Sequence, residues 1–234
     1  MTTPFDLATA RVVEAPLDGC QLLSLEALTS ATRRLPAELI EHHLGEGLPR
    51  LLPEGKIRRL GDAPAEVVRT IAGNGSWVML RSLASLPEYQ PLLLRLGASL
   101  QLAVRAAGEQ PVAHDLIGFL GAPRANVPLH FDANHHLLVQ VQGTKTVGVG
   151  YYDDPEVFRH QVERGLQEHR LNADQPPDRE ARFALSPGRA LVLPAFTFHW
   201  VEGDDDVSVA VACLVTTEQT RRRADEHRVR LRDR

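Results

Sequence analysis

The sequence predicts a mainly β protein with flanking helices, and three observations support that fold class. From residue 109 onward, short apolar runs are separated by glycine, proline and aspartate, a spacing typical of a sandwich or barrel. Before that point, apolar residues recur mostly at helical intervals. The composition, 43% hydrophobic and 24% charged, gives enough apolar material for a sizeable core. The strands predicted in the second half are residues 112–120, 127–132, 136–142, 145–151, 190–193, 197–202 and 207–215.

The beginning of the chain carries weaker signals. Residues 1–24 are predicted to be irregular or to form short extended segments. Serine and threonine favour the N-cap position, so we expect Ser24 or Thr29 to begin a helix that runs to about Leu44. Gly45 would end that helix.

The following segments show clearer periodicity. Residues 64–72 are predicted to form a short helix, and a Gly-Asn-Gly turn at 73–75 precedes a predicted strand at 76–81. The strongest helical pattern covers residues 86–107 and ends at Gly108. The apolar residues on one face of this helix are Leu92, Leu93, Leu96, Leu100 and Val104. We expect that face to pack against a sheet.

Together these elements suggest one domain over residues 1–234. Its predicted parts are a helical N-terminal part (1–108) that packs on the barrel and a β core (109–216) with a helical insert at 154–170. A C-terminal helix (217–234) would follow. This last segment is rich in arginine. It could mediate a homodimer, and a solvated surface helix is the simpler interpretation.

Charge and cysteine content argue against several classes of partner. The net charge of −4 and the pI of about 6.2 give no support for nucleic acid or a membrane surface as partner. Cys20 and Cys213 are far apart and lack a metal-ligand or redox spacing. The N-terminus lacks the basic and apolar regions of a signal peptide. We therefore expect a cytoplasmic protein.

The residues that carry chemistry lie in two segments of the β-rich half. His130 and Asp132 form an H-x-D pair on a predicted strand, and side chains at positions i and i+2 point to the same side of a strand. His199 lies 69 residues after His130, on a second predicted strand. Because distant strands become neighbours in a barrel, the three side chains could meet inside it.

Two imidazoles and one carboxylate around a single ion form the facial triad of non-haem iron(II) oxygenases. That arrangement leaves coordination positions open for a co-substrate and dioxygen. An H-x-D pair alone is weak evidence, since many such pairs are surface features. The place of the pair on a strand, together with the later histidine, favours a catalytic metal site formed by His130, Asp132 and His199.

Lys145 is a candidate for binding an anion. The chain has only two lysines, Lys56 and Lys145, and Lys145 begins a predicted strand shortly after Gly143. A lysine inside the barrel would need an anionic partner, because an unpaired buried charge is unfavourable. The distal carboxylate of 2-oxoglutarate would satisfy it. A surface lysine just after a turn is the equally simple alternative.

Three segments together resemble the Jumonji-C-type cupins. They are HFD at 130–132, LLVQVQGTK at 137–145 and PGRALVLPAFTFHWV at 187–201. Within that group the chain is similar to small bacterial cupin-like members related to asparaginyl and lysyl protein hydroxylases. The resemblance covers about residues 75–217, and the joint pattern is more specific than any one segment.

The resemblance implies a fold, a cofactor and a set of site residues. The implied fold is a double-stranded β-helix, the jelly-roll arrangement of the cupins. His130, Asp132 and His199 would be the Fe(II) ligands, and Lys145 would pair with the distal carboxylate of the co-substrate 2-oxoglutarate.

The chain departs from the family pattern at two positions near the co-substrate. A threonine is frequent three residues before the first ligand, where this chain has Val127, and an asparagine is frequent six residues after it, where this chain has His136. His136 shares the inward strand parity of the ligands, whereas His135 does not. We therefore expect His136 to contact the co-substrate in place of the amide, and a fourth metal ligand is the alternative.

The implied function is an Fe(II)- and 2-oxoglutarate-dependent dioxygenase that uses dioxygen to hydroxylate a C–H bond. The substrate could be a protein side chain, an amino acid or a natural-product intermediate. Two alternatives stay open at this stage. One is a non-catalytic cupin that binds a metal or small ligand as a sensor or regulator, and the other is a cupin metalloenzyme that does not use 2-oxoglutarate.

Overall fold

A computed structural model describes residues 6–15, 17, 20–52, 61, 63–167 and 171–229 of the chain. Its strands are β1 (Arg11–Glu14), β2 (Ile40–Leu44), β3 (Ser76–Leu80), β4 (Pro111–Gly121), β5 (Asn126–His130), β6 (His135–Gln142), β7 (Lys145–Tyr151), β8 (Arg179–Leu185), β9 (Arg189–Leu193), β10 (Phe198–Gly203) and β11 (Ser208–Thr217). Its α-helices are α1 (Leu25–Thr32), α2 (Pro64–Arg69), α3 (Gln90–Ala106), α4 (Pro155–Gln167) and α5 (Glu218–Val229). Short 3-10 turns occupy Gln21–Leu23, Ala37–Leu39, Leu83–Ser85 and Pro87–Tyr89.

The strands of the described residues form two antiparallel sheets. The larger sheet has the order β1-β9-β6-β11-β4-β3-β2, and the smaller has the order β5-β10-β7-β8. Strands β4 to β11 supply the centre of the larger sheet and the whole of the smaller one. Because strands that are distant along the chain pair within each sheet, the two sheets form the predicted double-stranded β-helix.

Alternate residues of β11 face opposite sides of the larger sheet. Val209, Val211 and Cys213 belong to the apolar cluster under the N-terminal helices, whereas Ala210 and Ala212 belong to the cluster between the sheets. Helix α3 covers the outer face through contacts with β11 and β4. Small inward side chains on this central strand leave space between the two sheets.

The strands predicted in the second half are all present, with bounds that differ by at most two residues. The predicted insert at 154–170 contains α4, and its last three residues, 168–170, lie outside the described residues. The predicted C-terminal helix is α5 as far as the described residues extend. Helix α3 buries the predicted apolar face, with only Leu93 partly exposed. None of the described helices is long and apolar enough to cross a membrane.

The helix predicted to run to Leu44 is wrong beyond its first two turns. Helix α1 begins after Ser24, whose hydroxyl caps it as predicted, and it ends at Thr32. Pro36 cannot continue a helix, because it lacks an amide hydrogen and its ring clashes with the preceding turn. Residues 40–44 instead form β2, which pairs along its whole length with β3. Pairing with a neighbouring strand outweighs the weak local propensity of this segment.

The sequence analysis missed the edge strand β8 and gave the edge strand β1 only as part of a segment that is irregular or has short extended structure. β1 pairs with β9, and β8 pairs with β7. Both contain several polar or charged residues, which are common on edge strands because one side of the strand faces solvent. Their apolar pattern was therefore too weak to predict them.

Candidate metal centre and its cavity

Strands β5 and β10 carry the two histidines of the predicted metal site. The strands are antiparallel neighbours, and His130 lies directly opposite His199 in their register. Asp132 follows two residues after His130. One potential ligand atom from each of these three residues lies within 4.8 Å of the other two. Strand pairing therefore brings together groups that are 69 residues apart in the chain.

Each of these histidines is oriented by its own strand. The Nδ1 atom of His130 lies 2.8 Å from the Pro128 carbonyl oxygen, and Nδ1 of His199 lies 2.9 Å from the Thr197 carbonyl oxygen. A carbonyl oxygen only accepts hydrogen bonds, so both Nδ1 atoms must carry the proton. The Nε2 atoms are left with lone pairs, which is the arrangement that supporting groups impose on metal-binding histidines.

The charges of the site also suit metal binding. Nε2 of His130 and Nε2 of His199 lie 3.8 and 3.7 Å from Oδ2 of Asp132. Burial alone would raise the pKa of Asp132, but the surrounding imidazoles, His136 first among them, outweigh burial and lower that pKa. Burial lowers the pKa of His199 to about 3. The site therefore offers an ionised carboxylate and a neutral imidazole, the protonation states that metal ligands require.

His136 faces the same site from β6. Its side chain is buried, and its Nε2 atom lies 3.7 Å from Oδ2 of Asp132. It is not part of the group of three residues whose ligand atoms all lie within 4.8 Å of one another. Nε2 makes no hydrogen bond to the described residues, and burial lowers the pKa of this imidazole. A neutral ring with an unbonded nitrogen thus lines the site beside the predicted ligands.

The predicted parity of the histidine doublet is confirmed. His135 points to the opposite face of β6, where its Nε2 lies 3.2 Å from Oε2 of Glu109. Its Nδ1 accepts a hydrogen bond from the amide of Ala195 at 3.2 Å. His135 therefore contacts the surrounding structure, and His136 alone of the two faces the cavity.

Lys145 is buried at the start of β7 and is 6% exposed. Within the part of the chain that the structure describes, Lys145 has no hydrogen-bond or ion-pair partner. Burial lowers the pKa of its ammonium group to about 7. The prediction of an inward-facing lysine is confirmed, and the alternative of a surface lysine is wrong.

One cavity of about 760 Å³ connects Lys145 with the candidate metal centre. Lys145 lies four residues along β7 from Val149, which is the residue opposite His199. At about 3.3 Å per residue, this separation is roughly 13 Å between backbones. Because both groups line the same cavity, a short dicarboxylate could contact both.

The sequence analysis missed several charged residues of the cavity wall, among them Glu41 and Arg81. Glu41 on β2 and Arg81 at the end of β3 form an ion pair that lines the cavity. Arg81 also contributes to the lowered pKa of Asp132. Glu41 was missed because residues 40–44 were predicted to be helical, which hid their pairing with β3. Arg81 lies at the end of the predicted strand 76–81, and its ion pair with Glu41 depends on that same pairing. Strand β2 alternates buried and partly exposed residues at its start, but its sequence IEHHL has only two apolar residues and gave no sign of that alternation.

Comparison with known proteins gives a match at the level of the fold. No protein-family model matches the sequence, and no curated protein matches it. Solved structures of YcfD from Escherichia coli do match. An X-ray structure of YcfD aligns with a TM-score of 0.55 at 14% identity, over 93% of this chain and 52% of that one.

Two further YcfD structures, described as a ribosomal oxygenase, contain ligands. The complex with cobalt and 2-oxoglutarate aligns with a TM-score of 0.52 at 13% identity, over 88% of this chain and 48% of that one. The complex with cobalt and succinic acid aligns with a TM-score of 0.55 at 14% identity, over 90% and 49%. The likeness confirms the predicted fold class, and the chain spans about half the length of these structures.

Proposed function

We propose that this chain is an Fe(II)- and 2-oxoglutarate-dependent dioxygenase that hydroxylates a C–H bond of its substrate. One observation carries the proposal. The candidate metal ligands line the same cavity as a buried lysine that has no anionic partner among the described residues. A keto dicarboxylate needs both features, because its keto acid end chelates a metal and its distal carboxylate needs a cation. The cobalt and 2-oxoglutarate in the YcfD complex support this assignment.

The residues of this chain would have distinct roles in the reaction. His130, Asp132 and His199 would hold the metal from one side and leave the cavity side open to ligands. Lys145 would neutralise the distal carboxylate and so fix the direction of the co-substrate. Bound Fe(II) with 2-oxoglutarate and dioxygen would supply the oxidising chemistry, which yields succinate, carbon dioxide and a hydroxylated product. The apolar cavity wall would exclude water from the reacting groups.

The substrate would enter the part of the cavity that the co-substrate leaves free. Strands β2 and β3 form one wall of that space, and their ion pair between Glu41 and Arg81 offers both charges to a ligand. A protein side chain, an amino acid and a natural-product intermediate are all compatible with such a wall. YcfD is described as a ribosomal oxygenase, so a protein substrate is the first class to test.

Turnover of 2-oxoglutarate tests the proposed function. Protein supplied with Fe(II), a reductant and 2-oxoglutarate in air is expected to release succinate, even in the absence of a substrate. Release should require iron and should fall at least tenfold in Lys145→Ala, because the co-substrate loses its charged partner. Arg182→Ala, which removes an exposed cation on β8, is the matched control and should leave the rate unchanged. Iron-loaded protein that consumes no 2-oxoglutarate would contradict the proposal.

A second candidate function is a metal site that does not use 2-oxoglutarate. The position of His136 favours it, because its Nε2 lies as close to Oδ2 of Asp132 as that of His199 does. A fourth protein ligand would occupy a position that the co-substrate needs. The variant His136→Asn separates the two functions. If His136 contacts only the co-substrate, metal affinity should change less than threefold while 2-oxoglutarate affinity falls. Loss of metal affinity in calorimetry would favour the second candidate.

A further inference from the structure

The cavity that Lys145 lines contains a second polar group, to which the family pattern gives no role. Ser208 is the first residue of β11, is 6% exposed and lines the same cavity as Lys145. It pairs in register with Gly121 of β4, whose missing side chain leaves the space beside the serine open. The turn between β6 and β7 also approaches Ser208, since a Cβ on Gly143 would lie 3.3 Å from the Ser208 Cα atom.

The hydroxyl of Ser208 is oriented by Gln140. The Gln140 side chain is fully buried, and its Nε2 lies 2.7 Å from the Gln142 carbonyl oxygen, 2.9 Å from Oγ of Ser208 and 3.2 Å from the Gly143 carbonyl oxygen. The two amide hydrogens are shared among these three acceptors. Ser208 Oγ therefore acts as an acceptor toward Gln140, and its own hydrogen remains available to donate. No described residue accepts that hydrogen in the structure. A buried hydroxyl donor is thus held in the wall of the cavity that Lys145 also lines, and no described residue accepts its hydrogen.

A buried carboxylate needs more hydrogen-bond donors than one cation supplies. Its two oxygens offer about four acceptor positions, and a single ammonium group can fill only some of them. Leaving the others unpaired away from water is unfavourable. At the position where a threonine hydroxyl is frequent in the resembling family, this chain has Val127, which lines the cavity and has no polar side-chain atom. Among the described residues that line the cavity, Ser208 is the one with an aliphatic hydroxyl.

We propose that Ser208, held in orientation by Gln140, donates the second hydrogen bond to the distal carboxylate that Lys145 binds, in place of the hydroxyl missing at Val127. The inference rests on the proposed function, because it assumes a ligand with an anion at this end of the cavity. Gln140 is then a positioning residue, since it acts through Ser208. Ser208 lies on β11, the last strand of the β-helix, whereas Val127, the position without a hydroxyl, lies on β5.

The test compares two keto acids that differ only at the distal end. 2-Oxoglutarate carries the carboxylate, and 2-oxopentanoate has a methyl group in its place. Binding of each is measured by calorimetry with Mn(II)-loaded protein without oxygen, so that the result does not depend on turnover. Ser208→Ala should weaken 2-oxoglutarate binding about tenfold or more, since hydrogen bonds to charged groups are among the stronger ones. It should change 2-oxopentanoate binding less than twofold. Ser186→Ala, at an exposed serine, should change neither.

The outcomes separate this inference from the proposed function. If Lys145→Ala loses 2-oxoglutarate while Ser208→Ala binds it within twofold of the unchanged protein, the role of Ser208 is overturned and the proposed function stands. Equal weakening of both keto acids by Ser208→Ala would also overturn it, because the effect would not come from the carboxylate. If the unchanged protein binds neither keto acid in the presence of Mn(II), both proposals fail. Thermal unfolding of each variant verifies that it is folded.

Discussion

Asp132→Ala is expected to lower the affinity for a divalent metal by more than about 100-fold. Groups that only support a metal ligand already contribute 10- to 100-fold to affinity, and Asp132 is the anionic ligand of the candidate site. Two imidazoles would remain, and they would have to bind the ion without a compensating negative charge. Titration calorimetry with Mn(II) measures the effect directly, and His130→Ala and His199→Ala should show losses of the same kind.

The control for this series is Asp206→Ala, which removes an exposed carboxylate from the turn before β11. That variant should bind one Mn(II) per chain with unchanged affinity. Far-ultraviolet circular dichroism shows whether each variant retains its sheets. Folded Asp132→Ala that binds Mn(II) as tightly as the unchanged protein would exclude the predicted ligand set.

Lys145→Met is expected to have opposite effects on stability and on co-substrate binding. Lowering the pKa of Lys145 from 10.5 to about 7 corresponds to a penalty of about 5 kcal/mol on the buried charge, at about 1.4 kcal/mol per pKa unit. Methionine has a similar volume and no charge. The free energy of unfolding without ligand should therefore rise, on the order of 2–4 kcal/mol below pH 7. The affinity for 2-oxoglutarate should fall at least tenfold.

The pH dependence of both effects follows from the same lowered pKa. The unfolded lysine is protonated up to about pH 10.5, whereas the folded one loses its proton above about pH 7. The penalty is therefore complete below pH 7, and the stability gain of Lys145→Met should shrink between pH 7 and pH 10. In the unchanged protein, 2-oxoglutarate should bind more weakly as pH rises above 7, because the lysine must then take up a proton. Urea unfolding and calorimetry across this range measure the two trends, and a gain in stability that is constant with pH would contradict this explanation.

The candidate metal residues could be predicted because local rules determine their direction. The period of two along β6 places His136 on the cavity side and His135 on the other. Asp132 lies just beyond the end of β5, so the same rule predicted its side only because that strand was expected to run to residue 132. That rule needs only the position of a strand, and the apolar runs of the second half gave those positions to within two residues. The pairing of His130 with His199 needed the fold as well, which the joint motif implied.

Other residues of the site could not be predicted, because their positions depend on pairings between distant strands. Glu41 reaches the cavity only because β2 pairs with β3, and β3 in turn pairs with β4. Ser208 lines the same cavity as Lys145 because β11 pairs with β6 and because the turn after β6 passes Ser208 at Gly143. Neither relation leaves a period or a spacing in the sequence. A short segment such as β2 also has too few apolar residues to distinguish a strand from a helix.

The central claim is that one metal ion and one 2-oxoglutarate bind together in the cavity between the two sheets. The most direct measurement is a crystal structure of the protein with Mn(II) and 2-oxoglutarate, grown without oxygen. We expect the ion on Nε2 of His130 and His199 and on the Asp132 carboxylate, with the keto acid end of 2-oxoglutarate on the metal and its other end on Lys145. An ion bound elsewhere, or coordinated by His136 with no keto acid beside it, would contradict the assignment.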